Sequence, residues 1–317
     1  MVFVTGATGF LGSYLCLYLS QKGYTIKASK RNTSKIPSIL QHIPIQWVDV
    51  DLLDFFALKD EIEGCEAIFH CAAKVSFKDS DKKSIWKNNV DVTSNIVNVA
   101  LELDNIHLIH VSSIAAVGEA KPGKLIDESC RWVFKKGDSD YSITKFEAER
   151  EVWRGIHEGL KAVIVNPSVI LGYDERELGT MGFIHQIKNG LKFYTTGVKG
   201  FVDVSDVAKC MIALHEQKIH SERFIITAGN YSFKELFETI ALQLNKKAPS
   251  ILVKKWMMKI AVNIIQLFNK NHPLNRHTIQ SAYSISEYSN KKILDVVPIN
   301  FITLETSIHN MVNKKIV

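Results

Sequence analysis

The stretch Thr5-Gly6-Ala7-Thr8-Gly9-Phe10-Leu11-Gly12 constrains this chain most, because it joins a strand-like run at 2–5 to a helical pattern near 11–22. A glycine-rich turn at a strand-to-helix junction is a phosphate cradle. Gly6 would permit the tight turn, and Gly9 would let the backbone approach a pyrophosphate at the positive end of the helix. Gly12 would let helix and strand pack closely. Thr8, Phe10 and Leu11 are counted with the same cofactor-binding turn.

The order of elements supports that placement. Short apolar runs at 2–5, 24–29, 45–49, 66–70, 106–112 and 161–166 read as strands, with helices near 11–22, 54–62, 84–103 and 142–158. This βαβ rhythm predicts an α/β fold, a Rossmann doubly wound parallel sheet. Ala67-Ile68-Phe69 and Leu108-Ile109-His110-Val111 lack polar alternation, as strands covered on both faces should. We expect a cofactor-binding domain with the catalytic residues over 1–166. A smaller, mainly helical substrate lobe is expected over 167–317, with about 200–227 returning to the first domain. One clear strand is expected there, at 223–227.

With 317 residues, 46% of them hydrophobic and 23% charged, the chain can bury a full core, which excludes disordered and collagen-like classes. Its net charge of +6 lies wholly in the last 68 residues, which hold nine basic and three acidic side chains. Lys254, Lys255, Lys291, Lys292, Lys314 and Lys315 come in pairs separated by long apolar segments, so no nucleic-acid partner is expected. The five cysteines are odd in number and form no CxxC, which suggests neither disulfide framework nor metal site. A cytoplasmic enzyme without signal segment or spanning helix is the expectation.

A cofactor with a free ribose 2′-hydroxyl usually meets an acid about 20 residues after the glycine turn. Between Gly12 and Asp49 there is no Asp or Glu, while Lys27, Lys30 and Arg31 cluster at the end of the second strand. Arg31, a planar fork suited to phosphate, with Lys30 as helper, therefore predicts NADP(H) over NAD(H).

The chemistry is expected from Tyr141-Ser142-Ile143-Thr144-Lys145, where a spacing of four places phenol and amine on one helix face. An ammonium there would lower the phenol's pKa towards neutrality, and Tyr141 could then donate or accept a proton. Val111-Ser112-Ser113 ends the fifth strand at the same sheet edge, so a serine hydroxyl can orient a carbonyl. Ser113 is the first candidate and Ser112 the alternative.

Together these motifs resemble the extended short-chain dehydrogenase/reductase (NAD-dependent epimerase/dehydratase) family, nearest to its dihydroflavonol reductase and 3β-hydroxysteroid dehydrogenase-like carbonyl reductases. Further segments are similar to the family's. Asp51-Leu52 resembles its adenine-contacting pair, and His70-Cys71-Ala72-Ala73 the strand end whose backbone lines the cofactor. Asn89-Val90, with Asn95, resembles its central helix motif, Asn166-Pro167-Ser168 its segment against the nicotinamide, and 201–208 its docking segment. Plainer roles stand beside these. Asp51 could cap a helix, His70 could be a satisfied structural histidine, and Asp203 and Asp206 could fix a loop and cap the helix that follows.

The resemblance implies an NADPH-dependent reduction of a ketone or aldehyde, with Tyr141 as general acid, Ser113 on the reacting oxygen and Lys145 tuning Tyr141 and holding ribose hydroxyls. Sugar-nucleotide dehydratases carry Thr-Asp-Glu where this chain has Ser113-Ile114-Ala115. An NAD-dependent nucleotide-sugar epimerase and a non-catalytic NADP-binding protein remain as alternatives. Phe77, Trp132, Phe134, Tyr173, Phe183 and Phe201 suggest an apolar or aromatic carbonyl substrate. The segment 251–268, with a narrow polar stripe of Lys255, Lys259, Asn263 and Gln266, is expected to cover the substrate pocket, form a homodimer or lie on a membrane.

Overall fold

The computed structural model describes residues 1–76, 79–268 and 276–316. The chain begins with β1 (Val2–Thr5), α1 (Phe10–Gln21), β2 (Ile26–Ser29), β3 (Ile45–Val48), α2 (Phe55–Ile62) and β4 (Ala67–His70), strand and helix alternating except between β2 and β3. A short α3 (Lys82–Trp86) runs through a π-helical turn at 87–91 into α4 (Val92–Glu102), followed by β5 (His107–Val111), α5 (Asp140–His157) and β6 (Lys161–Pro167). The single helix expected at 84–103 is thus broken by a widened turn. The second half holds β7 (Val169–Leu171), α6 (Met181–Lys188), β8 (Phe193–Tyr194), β9 (Val198–Asp203), α7 (Val204–Glu216), β10 (Glu222–Ile226), β11 (Gly229–Ser232), α8 (Phe233–Gln243) and β12 (Ile251–Leu252). It closes with α9 (Lys255–Phe268), α10 (Arg276–Tyr283), α11 (Lys291–Val296) and α12 (Leu304–Val312).

Seven parallel strands form the main sheet in the order β10-β6-β5-β4-β1-β2-β3. The chain moves outward one way from β1 to β3, then restarts at β4 and moves the other way. The gap between β1 and β4 is therefore the topological switch point, where such sheets bind ligands at the carboxyl ends of their strands. Both sheet faces are covered: Val2, Val4, Phe69 and Ile109 pack under α1 and α7, while Phe3, Ile68, Leu108 and Ile164 pack under α2, α4 and α5.

The strand expected at 223–227 is β10, and it joins the main sheet beside β6. The remainder of the second half is mainly helical, with short strands that the sequence did not announce. β7, β9 and β11 make a separate three-stranded sheet, and β8 pairs with β12. A core of Leu171, Met181, Ile184, Phe201, Leu236, Phe237, Ile240 and Ile308 lies beneath the three-stranded sheet.

Candidate active site

The glycine turn is tight for a physical reason. Gly6 has φ +69°, and a Cβ there would stand 2.7 Å from the backbone nitrogen of Ala72. A Cβ on Gly12 would stand 2.2 Å from the carbonyl oxygen of Gly6, so turn and helix could not close on each other with any larger residue. Gly9 is the N-cap of α1 and brings no side-chain acceptor. The first amides of that helix consequently face outward at its positive end.

A cavity of about 1020 Å³ opens over this turn, lined by Gly6, Thr8, Gly9, Lys30, Arg31, Asp51, Leu52, Cys71, Ala72 and Ala73. The sequence-predicted nucleotide residues are thereby gathered at the switch point. Phe10, Leu11 and Gly12 lie behind the turn rather than in the cavity wall; Phe10 packs edge-on against Tyr14 at 5.8 Å. Lys30 and Arg31 make no ion pair among the described residues. Lys27 departs from the expected basic cluster, because it is buried and paired with Glu61 at 2.7 Å.

Residues that sequence reasoning missed also line the wall, among them Lys35, Lys87, Asn88, Glu175 and Arg176. Arg176 clasps Asp174 through Nε and Nη2 and donates from Nη1 to the Thr8 carbonyl at 3.1 Å. Glu175 accepts from the Ser38 backbone nitrogen at 3.0 Å and from its hydroxyl. These bonds strap the loop after β7 to both the glycine turn and the loop after β2.

Other predicted contacts serve as scaffolding. Asp51 accepts from the Leu53 nitrogen, whereas the cap of α2 is Asp54, which accepts from Ala57. Asn95 donates to the Leu52 carbonyl at 2.8 Å. Asn89 does not line the cavity; it holds both backbone groups of Lys74 and reaches Thr144, pinning the loop after β4 to α5. His70 is bonded on both ring nitrogens, to Thr5 at 2.7 Å and Thr93 at 3.0 Å, which makes it a satisfied structural histidine. Burial, and secondarily the Lys145 charge, push its pKa down to about 3. Asp203 caps α7 and accepts from Ser307, while Asp206 instead accepts from the backbone nitrogen of Ile302.

The three catalytic candidates do not line this cavity; Lys145 stands close enough to Cys71, in its wall, for its charge to act on that thiol. Ser139 caps α5, setting Tyr141 in its first turn, and the hydroxyl of Ser113 hydrogen-bonds the Tyr141 phenol. Lys145 is buried one turn on and donates to the Val111 carbonyl at 2.7 Å. Two expectations need correcting. The Tyr141 pKa is raised, not lowered: burial disfavours the phenolate, and only the Ser113 bond works the other way. Lys145 supplies no such lowering, since its ammonium faces a carbonyl and its own pKa is drawn down to about 8, by burial first. Ser112 also parts from Ser113. It is buried and donates to Glu149 at 2.8 Å, leaving Ser113 as the hydroxyl beside Tyr141.

Glu149 is the hub that the sequence did not reveal. Its buried carboxylate accepts from Ser112, from Asn166 Nδ2 at 2.9 Å, from Arg223 Nη1 at 3.0 Å and from Trp153 at 3.4 Å. Asn166 also donates to the Ser113 carbonyl, and Arg223 holds the carbonyls of Glu128 and Cys130. One carboxylate thus ties together the ends of β5 and β6, strand β10, helix α5 and the loop before it. Asn166 Oδ1 and Ser168 Oγ, flanking Pro167 at the end of β6, are buried without a partner among the described residues.

The proposed substrate aromatics divide. Phe183 on α6 and Phe201 on β9 turn inward against Phe237 and Phe233, and Tyr173, in the loop after β7, packs against the same core. Phe77 lies outside the described residues. Trp132 stacks on Phe146 at 4.4 Å, with Val133 and Phe134 exposed beside it in the loop that leads into α5. Val117, Ile126, Ile225 and Tyr288 form a small buried core, with Ile114, next to Ser113 in the chain, packed against it.

The sequence pattern of the NAD dependent epimerase/dehydratase family matches residues 2–227. A putative dihydroflavonol 4-reductase of Synechocystis is 31% identical over 261 residues, covering 80% of this chain and 76% of that protein. Cinnamoyl-CoA reductase 1 of Petunia hybrida is 30% identical over 244 residues, covering 71% and 72%. The crystal structure of gox2253 superposes with a TM-score of 0.85 at 25% identity, covering 99% of this chain and 97% of that one. UDP-glucose 4-epimerase of Thermus thermophilus, solved with NAD, shares the fold at a TM-score of 0.74 and 19% identity, covering 98% and 97%.

Proposed function

The chain belongs to the NAD dependent epimerase/dehydratase family and is an NAD(P)-dependent oxidoreductase, and from that premise we propose that it reduces a ketone or aldehyde with NADPH. The observation that carries this reading is the hydrogen-bonded Ser113 and Tyr141 pair at the sheet edge beside the glycine-turn cavity. The cavity fits a dinucleotide: its floor admits only glycine, a helix start faces it, and Lys30 and Arg31 stand at its rim. Arg31, helped by Lys30, would hold a 2′-phosphate. Asn166 Oδ1 and Ser168 Oγ are the buried polar atoms that a carboxamide would satisfy.

When bound, NADPH supplies a hydride to the carbonyl carbon. Ser113 donates to the carbonyl oxygen and orients it. Tyr141, whose burial keeps it protonated, passes that proton to the oxygen as it becomes an alkoxide, leaving an alcohol and a phenolate that water reprotonates. Lys145, anchored to the Val111 carbonyl, would hold the ribose hydroxyls of the cofactor. Trp132 and Phe134, in the loop that leads into α5, favour an apolar or aromatic substrate. Five free cysteines favour a cytoplasmic setting.

Tyr141→Phe tests the reading: NADPH should bind nearly as before, while its consumption with a panel of aldehydes and ketones should fall by about 10²–10⁴-fold. Unchanged turnover would refute it. Asp49 and Asp51, which line the same cavity, favour a second reading, a nucleotide-sugar epimerase retaining NAD. Bound NAD that survives dialysis of the purified protein would select that reading.

A further inference from the structure

From 239 to 286 the sequence holds no Asp or Glu but seven Lys or Arg. Within this run, β12 and the first turns of α9 turn Ile251, Leu252, Trp256, Met257 and Ile260 outward, with Trp256 60% and Ile260 52% exposed. Phe193 on β8, the partner of Ile251, adds another exposed ring. Lys254, Lys255 and Lys259 are interleaved with these side chains and are exposed as well. The segment is moored rather than loose: Val262 is buried, and the Tyr283 hydroxyl donates to the Val253 carbonyl at 2.8 Å. The expected polar stripe is thus seen only in part. Lys255 and Lys259 share their face with apolar side chains, and Asn263 and Gln266 lie outside the described side chains.

A contiguous apolar patch facing water marks an interaction site, and its charges indicate the partner. A second copy docking symmetrically would bring these same lysines together, with no carboxylate in the run to meet them. A surface that is apolar within and anionic at its face meets both requirements. Tryptophan favours the boundary between the two, and lysines gain there by lying near the phosphates.

We propose that this face docks the protein peripherally on an anionic lipid bilayer, with Trp256 and Ile260 in the headgroup boundary and Lys254, Lys255 and Lys259 against the lipid phosphates. No helix among the described residues is long and apolar enough to cross a membrane, so the contact is interfacial. The inference stands apart from the reductase reading, because neither the patch nor its test involves the cofactor.

The full chain is floated with vesicles of phosphatidylcholine alone and with an equimolar mixture of phosphatidylcholine and phosphatidylglycerol. It should float with the mixture and remain with the buffer otherwise, and added salt should release it. Reversing all three lysines to Glu should weaken partition on the order of 100-fold or more, at about fivefold for each charge removed. Trp256→Ser with Ile260→Ser should also abolish flotation while leaving the circular dichroism and thermal midpoint unchanged, since both side chains are exposed. Failure to float with the mixture, or flotation indifferent to both sets of substitutions, would overturn the proposal. A concentration-dependent dimer in water that Trp256→Ser with Ile260→Ser abolishes would assign the face to a second copy instead.

Discussion

Glu149→Gln is the substitution that most directly tests how the site is held. The change preserves shape but turns one oxygen into an NH₂. One oxygen faces Ser112 and Asn166, and the other faces Arg223 and Trp153. Whichever way the amide lies, it confronts two donors with a third and leaves Arg223 without its carboxylate. Glu149 is 3% and Arg223 15% exposed in this pair, so water relieves little of the loss. Breaking one partner of a buried pair costs about 3–5 kcal/mol, and the wetter arginine end argues for about 3. Urea unfolding should show that loss. Turnover should fall as well, because Asn166 relays the disturbance to the Ser113 carbonyl. Arg223→Met alone should also destabilise, but the double variant should recover part of the deficit, since removing both charges leaves neither one buried alone. Additive losses within about 0.5 kcal/mol would refute the argument that the two side chains act as a pair.

Two further outcomes follow from charges elsewhere. Arg31→Ala should weaken NADP(H) binding by about 10- to 100-fold, the loss expected for charge-assisted bonds of about 1.5–3 kcal/mol, and should leave NAD(H) binding nearly unchanged; calorimetry showing no shift in preference would defeat the 2′-phosphate assignment. Lys199 is buried on β9, bonded among the described residues to the hydroxyls of Ser284 and Ser286, and burial lowers its pKa to about 8. Unfolding lets it recover its usual proton affinity, so its charge destabilises the fold fully below pH about 8, and this penalty fades as pH rises towards about 10.5. Lys199→Met should therefore stabilise the protein at pH 7 by about 1–3 kcal/mol and flatten its pH dependence between those values; an unchanged slope in pH-resolved urea melts would sink the claim.

The main sheet was legible because its strands are covered on both faces, and such strands read as continuous apolar runs such as Ala67-Ile68-Phe69. β9 was not, because Lys199 and Gly200 interrupt it and its partners β7 and β11 are brought to it only by the tertiary fold. The glycine turn and the Tyr141–Lys145 spacing are local, so they could be read directly. Glu149 carried one local signal, its place four residues beyond Lys145 on the inner face of α5. Its partner Arg223 is 74 residues away, and Arg176 reaches Thr8 across 168. Spacing likewise placed the phenol and amine together but could not show that the amine turns to the Val111 carbonyl.

That turn decides how the proposed chemistry runs. A tyrosine made acidic by a neighbouring ammonium would rest as a phenolate near neutral pH and begin each cycle as a base, suited to oxidising an alcohol. Here burial works against the phenolate, and Ser113 offsets only part of that effect. Burial also works against the charge on Lys145, and the carboxylate of Glu149 is the first force holding it on. The resting site therefore keeps its proton on Tyr141 until the forming alkoxide takes it, which is the order a carbonyl reduction requires. Glu149 then has two tasks with one cause. Its charge keeps Lys145 cationic from within the helix, and its bonds hold the serine strand and the asparagine strand at the distance the trio needs.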